Sequence, residues 1–112
     1  MKLIIAYIKP FKLEDVRDAL KAAGVSGMSV HDVSGFGRQA GHTEVYRGAE
    51  YEVAFVPKVR IEILVPDDLA WPAVSAIETT AATGEIGDGK IAVLSVAEVV
   101  RIRPGERGAE AV

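Results

Sequence analysis

The chain has 112 residues and no cysteine, which removes disulfides, thiolate metal ligation and cysteine nucleophiles together and fits a reducing compartment. It also lacks an excess of positive charge. Thirteen Lys and Arg stand against sixteen Asp and Glu, a net charge of -3, so a general polyanion partner such as nucleic acid has no electrostatic support. Any anionic ligand has to be held by a local arrangement of groups. Long hydrophobic runs are missing too: Leu3 to Ile8 is the longest, far short of the ~20 residues that span a bilayer. The start of the chain shows none of the charged, apolar and small-residue regions of a signal peptide. A soluble, cytoplasmic protein is expected, and the length suits a single domain over residues 1–112.

What is present reads as alternating short elements. Lys2 to Ile8 is branched and apolar and is stopped by Lys9-Pro10, the pattern of a buried strand ending in a turn. From Lys12, Leu13, Val16, Ala19, Leu20 and Ala23 recur at helical spacing, with Glu14 and Asp15 in the first turn and Gly24 at the end. Met28 to Gly35 predicts a second strand. Val59, Ile61, Ile63 and Val65 then alternate with Arg60, Glu62 and Leu64, giving a third strand with one apolar face. Asp67 is expected to cap a second helix running through Ala70, Val74, Ile77 and Ala81 to Gly84, with Pro72 tolerable in its first turn and Trp71 packed at its entry. Ile91 to Ile102 predicts the last strand, and Pro104, Gly105 and Gly108 a loose tail over 104–112.

The order strand, helix, strand, strand, helix, strand, with IIAYIKPFKLEDV echoed by IEILVPDDLAWPAV, predicts an α/β (α+β) fold. More narrowly, it predicts a ferredoxin-like double split βαβ sandwich. Both helices would cover one sheet face. The first strand is apolar on both sides, with Leu3, Ile5 and Tyr7 opposite Ile4, Ala6 and Ile8, so the other sheet face would be apolar and bare and a homo-oligomer is expected. Between strands 2 and 3 the run from Gly35 to Lys58 shows no sustained periodicity before Val53, and long irregular loops in small domains are usually functional.

Two segments carry possible chemistry. Gly84 to Lys90 matches the G-x-x-x-x-G-K part of a P-loop, but Ile91 stands where the Mg-binding Ser or Thr belongs. The segment also leaves a helix to enter a strand, the reverse of P-loop order, so a P-loop NTPase is excluded. What remains is a glycine-rich turn whose N–H groups could converge on an anion beside Lys90, or an ordinary helix-to-strand turn with a solvated lysine. Arg101 and Arg103, two apart at a strand end, would leave by one face and suit phosphate oxygens. Gly37, Arg38 and Gln39 have the same glycine-plus-donor character, and Lys58 could neutralise a carboxylate. His31 and His42 are too few for a histidine metal site, Asp67 and Asp68 suit a helix start better than a catalytic pair, and no nucleophile has a neighbouring base. Tyr46 and Tyr51 in the loop fit either a partner contact or packing against the body.

At these residues the sequence resembles the P-II nitrogen signal transduction proteins over nearly its whole length, from KPFKLEDV to VVRIRPGE. Tyr46-Arg47-Gly48-Ala49-Glu50-Tyr51 is similar to the family's loop signature and Thr83 to Lys90 to its second signature, with GFGRQ and RIR as further pieces. The resemblance implies a homotrimer that binds ATP or ADP competitively in clefts between subunits. Gly87, Asp88, Gly89, Lys90, Arg101 and Arg103 would hold the phosphates, Gly37, Arg38 and Gln39 would sit at the loop base, and Ser29, Glu62 and Leu64 near the nucleoside. Gln39 would help hold Mg, which joins ATP to 2-oxoglutarate; Lys58 would pair with the 2-oxoglutarate carboxylate near Gly87. Tyr51 resembles the tyrosine modified by a nucleotidylyltransferase, and Arg47 the loop-tip arginine that plugs an ammonium channel. The chain departs from the pattern at Ala92, where an aromatic residue is usual, and at Ala40, where many members have lysine.

The resemblance implies a sensor and not an enzyme. ATP, ADP and 2-oxoglutarate would select loop conformations that bind or release targets, such as the ammonium channel at the membrane or a glutamine synthetase adenylyltransferase. A slow ATPase in the same cleft and a small-ligand-binding trimer with no nitrogen role are the competing readings. The missing P-loop hydroxyl and base count against the first, and Tyr51 and Arg47 against the second.

Overall fold

A computed structural model describes residues 1–36, 44–46, 49–51, 55–103 and 105–112. Its strands are β1 (Lys2–Ile8), β2 (Ser29–Gly35), β3 (Glu44–Tyr46), β4 (Ala49–Tyr51), β5 (Val56–Val65) and β6 (Lys90–Ser95), and its helices α1 (Leu13–Ala22) and α2 (Asp67–Ala81). Four strands form one antiparallel sheet in the order β2-β5-β1-β6. With β1 and β5 at the centre and a helix following each of them, this is the expected ferredoxin-like βαββαβ fold.

Period-two alternation decides which side of the sheet the helices cover. Ile4, Ala6 and Ile8 of β1 and Val59, Ile61, Ile63 and Val65 of β5 are buried, and they meet Val16 and Leu20 of α1 and Ala70, Ala73, Ile77 and Ala81 of α2. The opposite face carries Leu3, Ile5 and Tyr7, half-buried, with Leu64 and Leu94 exposed beside them in register. No helix of the described residues is long and apolar enough to cross a membrane.

Several details differ from the sequence reading. β6 ends at Ser95 instead of continuing to Ile102. Among the described residues it is an edge strand paired with β1, its ladder ends with Lys2 opposite Ser95, and the Val96 N–H donates to the Met1 carbonyl at 3.1 Å. The C-terminal tail is folded back rather than loose: Val100 bridges Arg107, the Gly108 N–H donates to the Val99 carbonyl at 2.8 Å, and a short 3-10 turn spans Gly108–Ala111.

Asp67 does not cap α2. Pro66 holds that position, and the Asp67 carboxylate instead takes the Met1 ammonium at 2.7 Å. Because α2 starts at Asp67, Pro72 lies past its first turn, leaving the Asp68 carbonyl without the N–H four residues on. Trp71 is 67% exposed rather than packed, since its neighbour Ala70 takes the buried stripe. Finally, the run after Gly35 is not wholly irregular, because β3 and β4 pair antiparallel with Tyr46 opposite Ala49. Val45, Tyr46 and Tyr51 are strand formers.

β5 begins three residues earlier than expected and includes Pro57. β1 stops at Ile8, opposite Val59, so beyond that point β5 has a neighbour on its β2 side alone. A proline is tolerated where one edge is unpaired.

Candidate functional site

The turn from α2 into β6 is built around one carboxylate. Asp88 accepts from the Thr83 N–H at 2.7 Å, the Gly84 N–H at 2.9 Å and the Thr83 hydroxyl at 2.5 Å. The Thr83 hydroxyl oxygen in turn accepts from the Glu85 N–H at 3.2 Å. These bonds, the Thr83 hydroxyl first, hold the Asp88 carboxyl well below the usual carboxylate range, with Lys9 adding to the effect. Gly87 and Gly89 both adopt positive φ, 95° and 101°. At Gly89 there is no room for a side chain, because a Cβ there would lie 1.6 Å from the Tyr7 carbonyl oxygen. The turn is therefore seated on the backbone of β1.

Lys58 reaches this turn from β5 and donates to the Gly87 carbonyl. Partial burial, the nearby Lys9 charge and an opposing pull from Asp88 together leave the Lys58 pKa below that of an ordinary lysine. Asp88, Gly89 and Lys90 line a cavity of about 340 Å³ with Tyr7, Ile77 and Ala81. Positive-φ glycines and lysines at one turn are a suitable setting for phosphate or carboxylate oxygens.

A second group forms elsewhere on the sheet. Ser29 and Glu62 are register partners on β2 and β5, and with Leu64, Arg101, Leu3 and Ala111 they line a separate cavity of about 290 Å³. Glu62 is paired with Arg60 at 2.6 Å, and the Arg60 guanidinium lies 5.9 Å from the centre of the Tyr7 ring. Lys58 and Glu62 are four residues apart on one strand, roughly 13 Å. The two cavities share no lining residue.

The structure thus brings together Gly87, Asp88, Gly89, Lys90 and Lys58 in one cluster, and Ser29, Glu62, Leu64 and Arg101 in the other. It corrects the reading of Arg101 and Arg103 as strand-end neighbours on one face. Both lie beyond the end of β6, with Arg103 in a turn, and the Arg101 guanidinium donates to the Ala111 carbonyl at 3.4 Å. Gly37, Arg38, Gln39 and Arg47 lie outside the described residues, as does the Tyr51 side chain. Among the described residues no group of three or more His, Asp and Glu could hold a metal ion.

Sequence reasoning missed Lys9, which read as nothing more than a strand stop before proline. Its ammonium lies 3.1 Å from the Thr83 hydroxyl and 3.2 Å from Asp88. No local signal connects residues separated by more than seventy positions.

A family model described as nitrogen regulatory protein P-II matches residues 1–106, which include both clusters and the β3–β4 pair. The chain belongs to the P-II family. It is 64% identical over 106 residues to nitrogen regulatory protein P-II 1 of Escherichia coli K12, covering 95% of each chain. It is also 63% identical to nitrogen regulatory protein P-II of Klebsiella oxytoca over 95% of each chain, and 57% identical to the Haemophilus influenzae protein over the full length of both. P-II proteins are signal transducers of nitrogen status and not enzymes, which agrees with the lack of any nucleophile and base pair in the sequence. The P-II match covers the Thr83 to Lys90 turn, so the Asp88 clasp and the Gly89 contact lie within the matched residues.

Proposed function

We propose that this P-II chain senses ATP or ADP together with 2-oxoglutarate, and regulates nitrogen assimilation by binding target proteins through the loop between β2 and β5. The observation that carries the reading is the division of the candidate residues into two incomplete clusters on an uncovered sheet. One cluster offers the glycine turn and lysines for phosphates, without Ser29, Glu62 or an arginine. The other offers Ser29, Glu62, Leu64 and an arginine, without the glycine turn. A second copy laid against the half-buried face of Leu3, Ile5 and Tyr7 would supply what each cluster lacks, in keeping with a homotrimer whose nucleotides lie between subunits.

In this reading the backbone N–H groups of Gly87, Asp88 and Gly89, with the Lys90, Arg101 and Arg103 side chains, hold phosphates, and Gly37, Arg38 and Gln39 lie at the loop base. Ser29, Glu62 and Leu64 face the nucleoside. Gln39 takes part in binding Mg, and Lys58 leaves the Gly87 carbonyl to pair with 2-oxoglutarate. The described groups fit anions well, since they comprise cations and a positive-φ glycine turn. Arg47 and Tyr51 serve the partner side: Arg47 toward an ammonium channel at the membrane, Tyr51 toward a nucleotidylyltransferase. An adenylyltransferase of glutamine synthetase is a further target. Effector and partner affinities are then linked reciprocally, because a ligand favouring one loop state weakens the complex that needs the other.

Isothermal calorimetry tests this directly. MgATP should bind the native oligomer, 2-oxoglutarate should bind when MgATP is present, and Lys58→Met should remove the second event while leaving the first. Absence of 2-oxoglutarate binding in saturating MgATP would sink the effector part of the reading.

A further inference from the structure

We propose that Lys9 is a positioning residue of the anion-binding turn, acting as the counter-ion that lets a loop closed by the Asp88 carboxylate accept phosphate. The inference deepens the nucleotide reading above and rests on it.

The difficulty that Lys9 resolves is electrostatic. Asp88 lies between Gly87 and Gly89, so a full negative charge is built into the turn that has to receive a nucleoside diphosphate. Like charges at such spacing repel, and with both side chains largely shielded the repulsion is poorly screened: Lys9 is 19% and Asp88 25% exposed. Two N–H groups and one hydroxyl satisfy the oxygens of Asp88 but bring no charge. Lys9, 3.2 Å away, is the group that neutralises it.

The backbone explains how Lys9 is kept there. It precedes Pro10, which confines it to extended geometry, and its φ and ψ are -67° and 137°. Two residues earlier, Tyr7 presents the carbonyl on which Gly89 rests. Tyr7 to Lys9 therefore supplies both the floor of the turn and its counter-ion, so the end of β1 fixes the position and the charge of the same loop. Lys9 also binds the Thr83 hydroxyl at 3.1 Å, tying the first residue of the turn to Asp88. Lys58 faces the same groups, with Lys9 and Asp88 acting on it in opposite senses.

The test is ADP affinity by calorimetry for wild type, Lys9→Met, Lys9→Arg and the double variant Lys9→Met with Asp88→Asn, each with its thermal midpoint. Lys9→Met is expected to weaken ADP about tenfold or more, since it leaves a shielded carboxylate uncompensated. Lys9→Arg should stay within about threefold. The double variant should recover most of the loss, because it removes the charge that Lys9 offsets, and a merely structural role would not produce that rescue. ADP binding to Lys9→Met as tight as wild type overturns the inference, as does a double variant no better than Lys9→Met. Wild type without ADP binding overturns the nucleotide reading itself and the inference with it. Should Lys9→Met not fold, Lys9→Gln, which keeps a donor to Thr83 without the charge, gives the same comparison.

Discussion

Gly89 and Tyr7 touch backbone to backbone: a Cβ at Gly89 would come within 1.6 Å of the Tyr7 carbonyl oxygen and 2.7 Å of its carbonyl carbon. The contact joins the glycine turn to the central strand, so the geometry of the candidate anion site is set by the sheet itself. Neither partner can yield cheaply, because β1 is paired on both sides.

Gly89→Ala should therefore destabilise the protein by about 3 kcal/mol through backbone displacement and positive φ together. Gly84→Ala, also at positive φ but with nothing within 4 Å of an added Cβ, should cost about 1 kcal/mol. Urea denaturation of the two variants side by side checks the difference. Equal losses would mean that the Tyr7 contact is not the constraint.

Ile77 is fully buried between α2 and the sheet, whereas Trp71 on the same helix is 67% exposed. Ile77→Ala should cost about 3 kcal/mol, and Trp71→Ala should stay within about 0.5 kcal/mol despite the larger side chain removed. The same denaturation experiment reads both.

Asp88 has a folded pKa depressed below the ordinary 3.8. A depressed carboxyl stabilises the folded state fully above the unfolded value and loses that contribution as the pH falls below about 4 toward the folded value. Asp67, lowered chiefly by its bond to the Met1 ammonium, acts in the same direction. Stability measured from pH 7 downward should fall more steeply for wild type than for Asp88→Asn once the pH passes below 4. The variant should keep the smaller slope due to Asp67. Identical acid slopes would refute the role given to the clasp.

Ile5 lies at the centre of the uncovered face of β1, opposite Glu62 on one side and Ala92 on the other. Ile5→Glu places a charge where another copy is proposed to pack, so sedimentation at micromolar concentration should show a monomer, against a trimer for wild type. ATP affinity should fall in parallel, since the two clusters would no longer meet. A trimeric Ile5→Glu variant would remove the case for this face as the interface.

Much of the fold was legible because burial in this chain follows simple periods. β1, α1 and the apolar face of β5 could be read from alternation and helical spacing: Ile4, Ala6, Ile8, Val16, Leu20, Val59, Ile61, Ile63 and Val65 are buried, with Leu13 partly buried against them. The glycine turn was also legible as a possible anion site, since glycines with a lysine announce their chemistry locally. The limits of β6 were not, because Val96 to Ile102 is as apolar as a strand needs to be, and its bonds instead go to the folded-back tail. Asp67 looked like a cap, and a cap is a local inference; its actual partner is the Met1 ammonium, brought there by the start of β1. The same reason hid the folded tail, whose contacts join residues 99–101 to 106–108 and 111.

By itself, then, the sequence determined the elements, their order, the two apolar faces of β1 and the family. Those depend on periodicity, composition and short motifs, which act over a few residues. Tertiary structure decided which polar groups meet, Lys9 with Asp88 and Lys58 with the Gly87 carbonyl, and the separation of the candidate residues into two clusters. Hydrogen bonds and ion pairs act over about 3 Å of space regardless of distance along the chain, so they are fixed when the sheet closes and not before.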